Sequence, residues 1–192
     1  MRSAEIKRAT KETDIYLKLC LDGGRQIEVD TGIPFFDHML TSLATHAGFD
    51  IELKAKGDLG VDCHHTVEDV GIVLGKALSK ALGDKKGIAR FGCSFIPMDE
   101  ALSFCALDIC SRPYLVFKAE FKNQFIGNFD TCMVEEFFRA FAVSGGITLH
   151  IENKYGADDH HKAESMFKAL AYSLRQAVAI RGDGVMSSKG AL

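Results

Sequence analysis

The sequence predicts an α+β fold built from two like halves, each read as strand-strand-helix-strand-helix. Two observations predict it. His64-His65-Thr66-Val67-Glu68 recurs 96 residues later as His160-His161-Lys162-Ala163-Glu164, and 96 is half of the 192-residue chain. The segments around each copy then follow one order of alternating and helical hydrophobic periodicity. The expected halves are residues 1–96 and 97–192, merged into one subunit.

The elements follow in order. Residues 14–21 alternate apolar and polar like a half-buried strand, and a Gly23-Gly24 turn leads into a short second strand ending at Asp30. Residues 36–47 place Phe36, Met39, Leu40, Leu43 and Ala47 on one helical face, with Gly48 as the stop. Phe49, Ile51, Leu53 and Ala55 alternate as a strand. From His64 to Leu82, apolar residues at Val67, Val70, Leu74, Leu78 and Ala81 keep helical spacing up to Gly83. Residues 84–100 hold an extra strand joining the halves. Residues 101–109 and 114–121 read as a strand pair, with Leu115, Phe117, Ala119 and Phe121 on one face. A short helix over 133–143 ends near Gly145-Gly146, and its Phe137, Phe138 and Phe141 are read as core. Ile147, Leu149 and Ile151 form a strand. Ala163, Phe167, Leu170, Leu174, Ala177 and Val178 mark the last helix, and the tail from Gly182 reads as a loop.

Bulk properties narrow the function. With 47% hydrophobic residues and a net charge of -3, the chain has enough apolar material for a core and lacks the basic excess of a nucleic-acid binder. The N-terminus carries no apolar signal core, and no long apolar run follows, so a cytoplasmic protein outside the membrane is expected. Cys20, Cys63, Cys93, Cys105, Cys110 and Cys132 lack C-x-x-C spacing and read as reduced, packing thiols.

The two His-His-x-x-Glu elements point to metal. On a helix, Glu68 shares a face with His64 or His65, while adjacent histidines diverge by about 100° and so face different ions. Two elements supply four imidazoles and two carboxylates, a donor set for manganese, iron, nickel or zinc. The repeat adds His38, in the first short helix, and Glu136, at the matching place in the second half. His46 and His150 have no repeat partner and read as structural or surface residues. Asp69, Asp158 and Asp159 read as caps or loop-shaping groups.

The stretches TKET (10–13), GIPFFDHML (32–40), DCHHTVED (62–69), PMDEAL (97–102), LDICSRPYL (107–115), VEEFFRAFA (134–142), DDHHKAESMFKALAYSLRQAV (158–178) and SSKG (187–190) resemble the imidazoleglycerol-phosphate dehydratase family almost end to end. The resemblance implies a ribosomal-S5-domain-2-like two-layer sandwich, duplicated in each subunit. It also implies a homo-oligomer of 24 subunits with shared active sites and two manganese ions (Mn2+) per site. It makes His38, His64, His65, Glu68, Glu136, His160, His161 and Glu164 the metal ligands. Substrate or its phosphate would be held by Glu12, His38, His64, Glu68, Arg90, Arg112, His160, Lys168, Ser187, Ser188 and Lys189. Glu12, His38, His65 and His161 would carry the catalysis. The small-molecule substrate would be an imidazole-bearing glycerol phosphate that loses water to give a ketone. The C–H to be broken is not beside a carbonyl, so electron push from the imidazole must expel the hydroxyl, with Glu12 as first candidate for the proton. Two departures stand out. Cys110-Ser111 replaces the family's Ser-Gly before Arg112-Pro113, which would strain Ser111 if the glycine serves a positive φ. Asp158 replaces an Asn.

Read from spacing alone, a dinuclear phosphoesterase and a metal-nucleated storage protein remain open beside the dehydratase. Basic residues at Arg90, Arg112, Lys168 and Lys189 count against storage, which needs no phosphate clamp.

Overall fold

A computed structural model describes residues 1–24 and 26–187. Chain order is β1 (Ser3–Ala9), β2 (Thr13–Cys20), β3 (Ile27–Asp30), α1 (Pro34–Ala47), β4 (Asp50–Gly57) and α2 (His64–Leu82). It continues with β5 (Phe91–Met98), β6 (Ala101–Ile109), β7 (Tyr114–Lys118), β8 (Phe125–Ile126), β9 (Phe129–Asp130), α3 (Met133–Gly145), β10 (Ile147–Tyr155) and α4 (Asp159–Ala177). The sheets run β1-β2-β4-β3 and β5-β6-β10-β7, each antiparallel except for its last pair. One topology is thus written twice.

Three expectations need correction. Residues 3–9 form a strand that the sequence pattern did not reveal, because only Ala4 of β1 is buried and charged residues fill much of the rest. β6 and β7 are not neighbours: β10 lies between them, antiparallel to β6 and parallel to β7. The cut at residue 96 falls inside β5, which pairs along its length with β6 and so lies with the second sheet. The reason is that the repeat offset varies. Ser3 to Phe91 and Thr13 to Ala101 are both displaced by 88 residues, against 96 for the His pairs. The difference enters between β7 and α3, where the second half carries the β8–β9 hairpin.

Helix ends follow the glycines. Gly48 (φ 77°) and Gly146 (φ 65°) sit in the left-handed region that terminates α1 and α3. A Cβ is costly in that region. The helices then pair across the repeat: α1 packs on α4 and α2 packs on α3. Phe36 of α1, Phe137 of α3 and Phe167 of α4 meet with ring centroids 5.4 and 5.0 Å from Phe137, all fully buried. One hydrophobic core therefore serves both halves. The α2–α3 approach is close because α2 carries Gly71 and Gly75 at the seam. A Cβ on Gly75 would stand 2.5 Å from the Phe141 carbonyl oxygen. The chain after α4 is also tied down: Gly87 N–H donates to Gly184, and Arg181 N–H donates to Gly87.

Candidate metal centre

Both His-His elements begin their helices. Asp158 caps α4 by accepting from the N–H groups of His160 (2.7 Å) and His161 (3.3 Å), and Asp62 accepts from His64 N–H (2.8 Å). Such side-chain acceptors satisfy N–H groups that a helix start leaves unpaired. Within each pair the rings diverge, with interplanar angles of 73° for His64/His65 and 82° for His160/His161. The first histidine of a pair lies along its helix toward the Glu four residues on. The second faces elsewhere.

That geometry, with α1 on α4, assembles one trio. His38 Nε2 and His160 Nε2 stand 3.3 and 3.2 Å from the same oxygen, Glu164 Oε2. Ligand atoms of His38, His160 and Glu164 lie within 4.8 Å of one another, close enough to share an ion. Phe35 packs edge-on against His160, with centroids 5.1 Å apart. Lys168 Nζ holds the other Glu164 oxygen at 2.8 Å and also meets Met98 Sδ at 3.8 Å. Burial alone would raise the Glu164 carboxyl, but Lys168 and His38 outweigh it and hold it below the ordinary carboxylate range.

The matching place in the other half is more open. His64 Nε2 is 3.9 Å from Glu68, and Glu136 turns to Arg139 at 3.5 Å. Among the described residues, only the His38 trio closes as a metal group.

His65 and His161 each have carboxylate partners, of which Asp58, Asp99 and Glu100 were missed by sequence reasoning. His65 Nδ1 donates to Asp58 (2.9 Å), and its Nε2 lies 3.8 Å from Glu12. His161 Nδ1 donates to Glu100 (2.8 Å), and its Nε2 lies 3.8 Å from Asp99. Asp58 and Glu100 respectively raise the two imidazoles above the usual histidine range. Glu100 is pulled down to about 2 by the N–H of Asp158, by His161 and by the N–H of Ala157. The missed signal was the 88-residue offset of the strands, which maps Glu12 onto Glu100. A repeat aligned on the histidines hides it.

The basic residues form a separate group. Arg90, expected to hold the substrate or its phosphate, is mostly enclosed and forks onto both oxygens of Asp108 at 2.6 and 2.9 Å. It also donates to the Met186 carbonyl (2.8 Å), which sets the Met186-Ser187 segment beside it. Arg112 reaches the same Asp108 at 3.6 Å with an exposed guanidinium. Lys168 stands with the trio instead. Ser188 and Lys189 lie outside the described residues. Ser111 has φ 60°, so the strain expected from the missing glycine is present. His46 stacks on Tyr172 (5.5 Å), and His150 is exposed on β10.

The fold and site define a duplicated α+β protein whose halves meet at a His/Glu group with the spacing to share a metal ion. Residues 31–174 match the family model described as imidazoleglycerol-phosphate dehydratase. Proteins of that name from Alkaliphilus metalliredigens and Streptococcus gordonii are each 55% identical, covering 100% of this chain and 99% and 100% of their own. The crystal structure of imidazoleglycerol-phosphate dehydratase from Staphylococcus aureus superposes with a TM-score of 0.85 at 36% identity, over 93% of this chain and 99% of that one. The Pyrococcus furiosus structure gives 0.86 at 36%, over 97% and 100%. The chain belongs to the imidazoleglycerol-phosphate dehydratase family and is an enzyme of the lyase class.

Proposed function

We propose that this chain is a manganese-dependent dehydratase converting D-erythro-imidazoleglycerol phosphate to imidazole acetol phosphate and water, acting in the cytoplasm in histidine biosynthesis. The observation that carries the reading is the trio itself: two imidazole nitrogens converging on one carboxylate oxygen, from both halves of the chain. Two imidazoles and a carboxylate suit a borderline divalent ion, so the residues fit the metal the family implies. His38, His160 and Glu164 hold one ion. Glu136, His64 and Glu68 hold a second, at the place related to the first by the repeat. His65 and His161 face away from these groups and complete sites shared with neighbouring copies, in a homo-oligomer of 24 subunits.

When bound, the two ions supply Lewis acidity and a template for the substrate. The chain's own residues do the rest. Glu12 Oε1 stands 3.8 Å from His65 Nε2. It takes the proton from the carbon next to the one that loses the hydroxyl, and the resulting enol becomes the ketone by gaining a proton at the carbon the hydroxyl left. Arg112 offers an exposed guanidinium to the phosphate, and Lys168 an ammonium beside the trio. Arg90 holds the Met186-Ser187 segment, and Ser187, Ser188 and Lys189 bind the phosphate.

Turnover of imidazoleglycerol phosphate by metal-stripped protein, with and without manganese, tests the proposal. Manganese-dependent imidazole acetol phosphate with the phosphate retained is expected. Release of inorganic phosphate would replace the reading with a dinuclear phosphoesterase.

A further inference from the structure

Resting on the metal reading above, we propose that Asp58 and Glu100 are positioning residues that lock His65 and His161 in the tautomer whose Nε2 can bind a metal ion. An ionised carboxylate only accepts hydrogen bonds. The 2.9 Å contact from His65 and the 2.8 Å contact from His161 therefore place a proton on Nδ1 in both rings. That leaves Nε2 as the lone-pair nitrogen once the ring is neutral. Each Nε2 stands 3.8 Å from a second carboxylate, Glu12 or Asp99. That separation is beyond hydrogen-bond range.

The two halves reach this arrangement from different sequence positions. In the first half the carboxylate on Nδ1 is Asp58, from the β4–α2 connection, while Glu12 of the β1–β2 turn faces Nε2. In the second half both carboxylates come from the β5–β6 turn, and Glu100 is the repeat counterpart of Glu12. A duplicated chain preserves by default what its first copy had. Here the partners have changed while the pattern around the imidazole is the same, as expected if the pattern serves ligation.

Glu100 is also the better anchored of the two. It accepts from Ala157 N–H (2.9 Å) and Asp158 N–H (2.8 Å), and Asp158 in turn caps the helix that carries His161. A single carboxylate thus fixes the ring and the start of its helix together. Carboxylates behind ligating histidines orient the ring and raise its basicity, and their loss weakens metal binding about 10–100-fold.

The test is a manganese titration of the metal-stripped protein, following free manganese by electron paramagnetic resonance, for wild type, Asp58→Asn and Glu100→Gln. Asp84→Asn, far from any histidine in its contacts, is the control. Each site variant is expected to bind manganese at least tenfold more weakly, the control unchanged. Affinity within twofold of wild type for both variants overturns the proposal. Nitrogen NMR of 15N-histidine-labelled wild type, in the metal-free state, reads the tautomers without any substitution. Protons on Nδ1 of His65 and His161 support the lock, and neutral rings protonated on Nε2 overturn it even where a variant fails to fold. Wild type that binds no manganese overturns instead the metal reading beneath the proposal.

Discussion

Replacing Gly75 by alanine sets two effects of opposite sign against each other. In an exposed helix the change would stabilise by about 1 kcal/mol, from helix propensity alone. In α2 the new Cβ would stand 2.5 Å from the Phe141 carbonyl oxygen, 2.8 Å from the Gly145 nitrogen and 3.0 Å from Ser144 Cβ. The first two are α3 backbone and cannot rotate away. Relief requires α2 and α3 to separate, and a gap of roughly 0.5–1 Å forfeits a quarter to a half of the dispersion energy along the seam. Overpacking of this kind costs about 1–3 kcal/mol, and the loosened seam adds to it, so packing wins. With a chain of this length losing about 2–4 °C per kcal/mol, the melting temperature should fall by about 2–12 °C. Thermal melts followed by circular dichroism, on metal-free protein at one concentration, measure it. Gly24→Ala is the control, since nothing lies within 4 Å of its added Cβ. A Gly75→Ala protein as stable as wild type would show that the seam yields freely and that backbone contact does not set the α2–α3 distance.

On the proposed function, Glu12→Gln should bind manganese like wild type, because that reading gives Glu12 no ion to hold, yet lose about 10²–10⁴-fold in turnover; near-normal turnover would remove Glu12 from the proton transfer. On the proposed shared sites, chelation should break the oligomer into smaller species, because ligands crossing between copies would turn metal-binding energy into assembly energy, and light scattering showing no change in size would count against shared sites. Asp159→Asn should cost about 3–5 kcal/mol at neutral pH, since it leaves Lys162 buried beside an uncharged partner. Burial works to raise the Asp159 carboxyl, but Lys162 and the N–H groups of Asn123 and Lys122 prevail and bring it from 3.8 to about 2. A native value below the unfolded one stabilises fully above about pH 4, and that contribution fades as pH falls through about 2. The gap between the denaturant midpoints of wild type and variant should therefore narrow on acidification from about pH 4 to about pH 2, and a gap constant with pH would contradict the assignment.

Most helices and central strands were legible because their apolar periodicity is strong and glycine marks their ends. Val67, Val70, Leu74 and Leu78 gave α2 its full range, and the caps at Gly48 and Gly146 came with the sequence. β1 was hidden for the opposite reason: with Ala4 its only buried residue, an edge strand rich in charged residues carries almost no hydrophobic signal. Sheet neighbours were hidden as well, since strand order depends on contacts distant in sequence. At the site, His160 and Glu164 were readable from the repeated motif and His38 from its place in the first short helix, whereas their meeting across the two halves was not. Asp58, Asp99 and Glu100 were not, because carboxylates in connections look like ordinary solvated loop residues until the histidine each one holds is known. The Arg90–Asp108 pair was hidden for the same reason, Asp108 being a strand residue that only the fold brings alongside.

The crossed helix pairing, α1 with α4 and α2 with α3, bears on what half of this chain could do by itself. One half would keep its sheet and both its helices, yet Phe36 would lose Phe137, and His38 would lose His160 and Glu164. Such a fragment could cover its apolar helical face only against a second molecule. Joining two halves in tandem turns that encounter between molecules into a fold within one, independent of concentration, and frees each half to change its site residues separately.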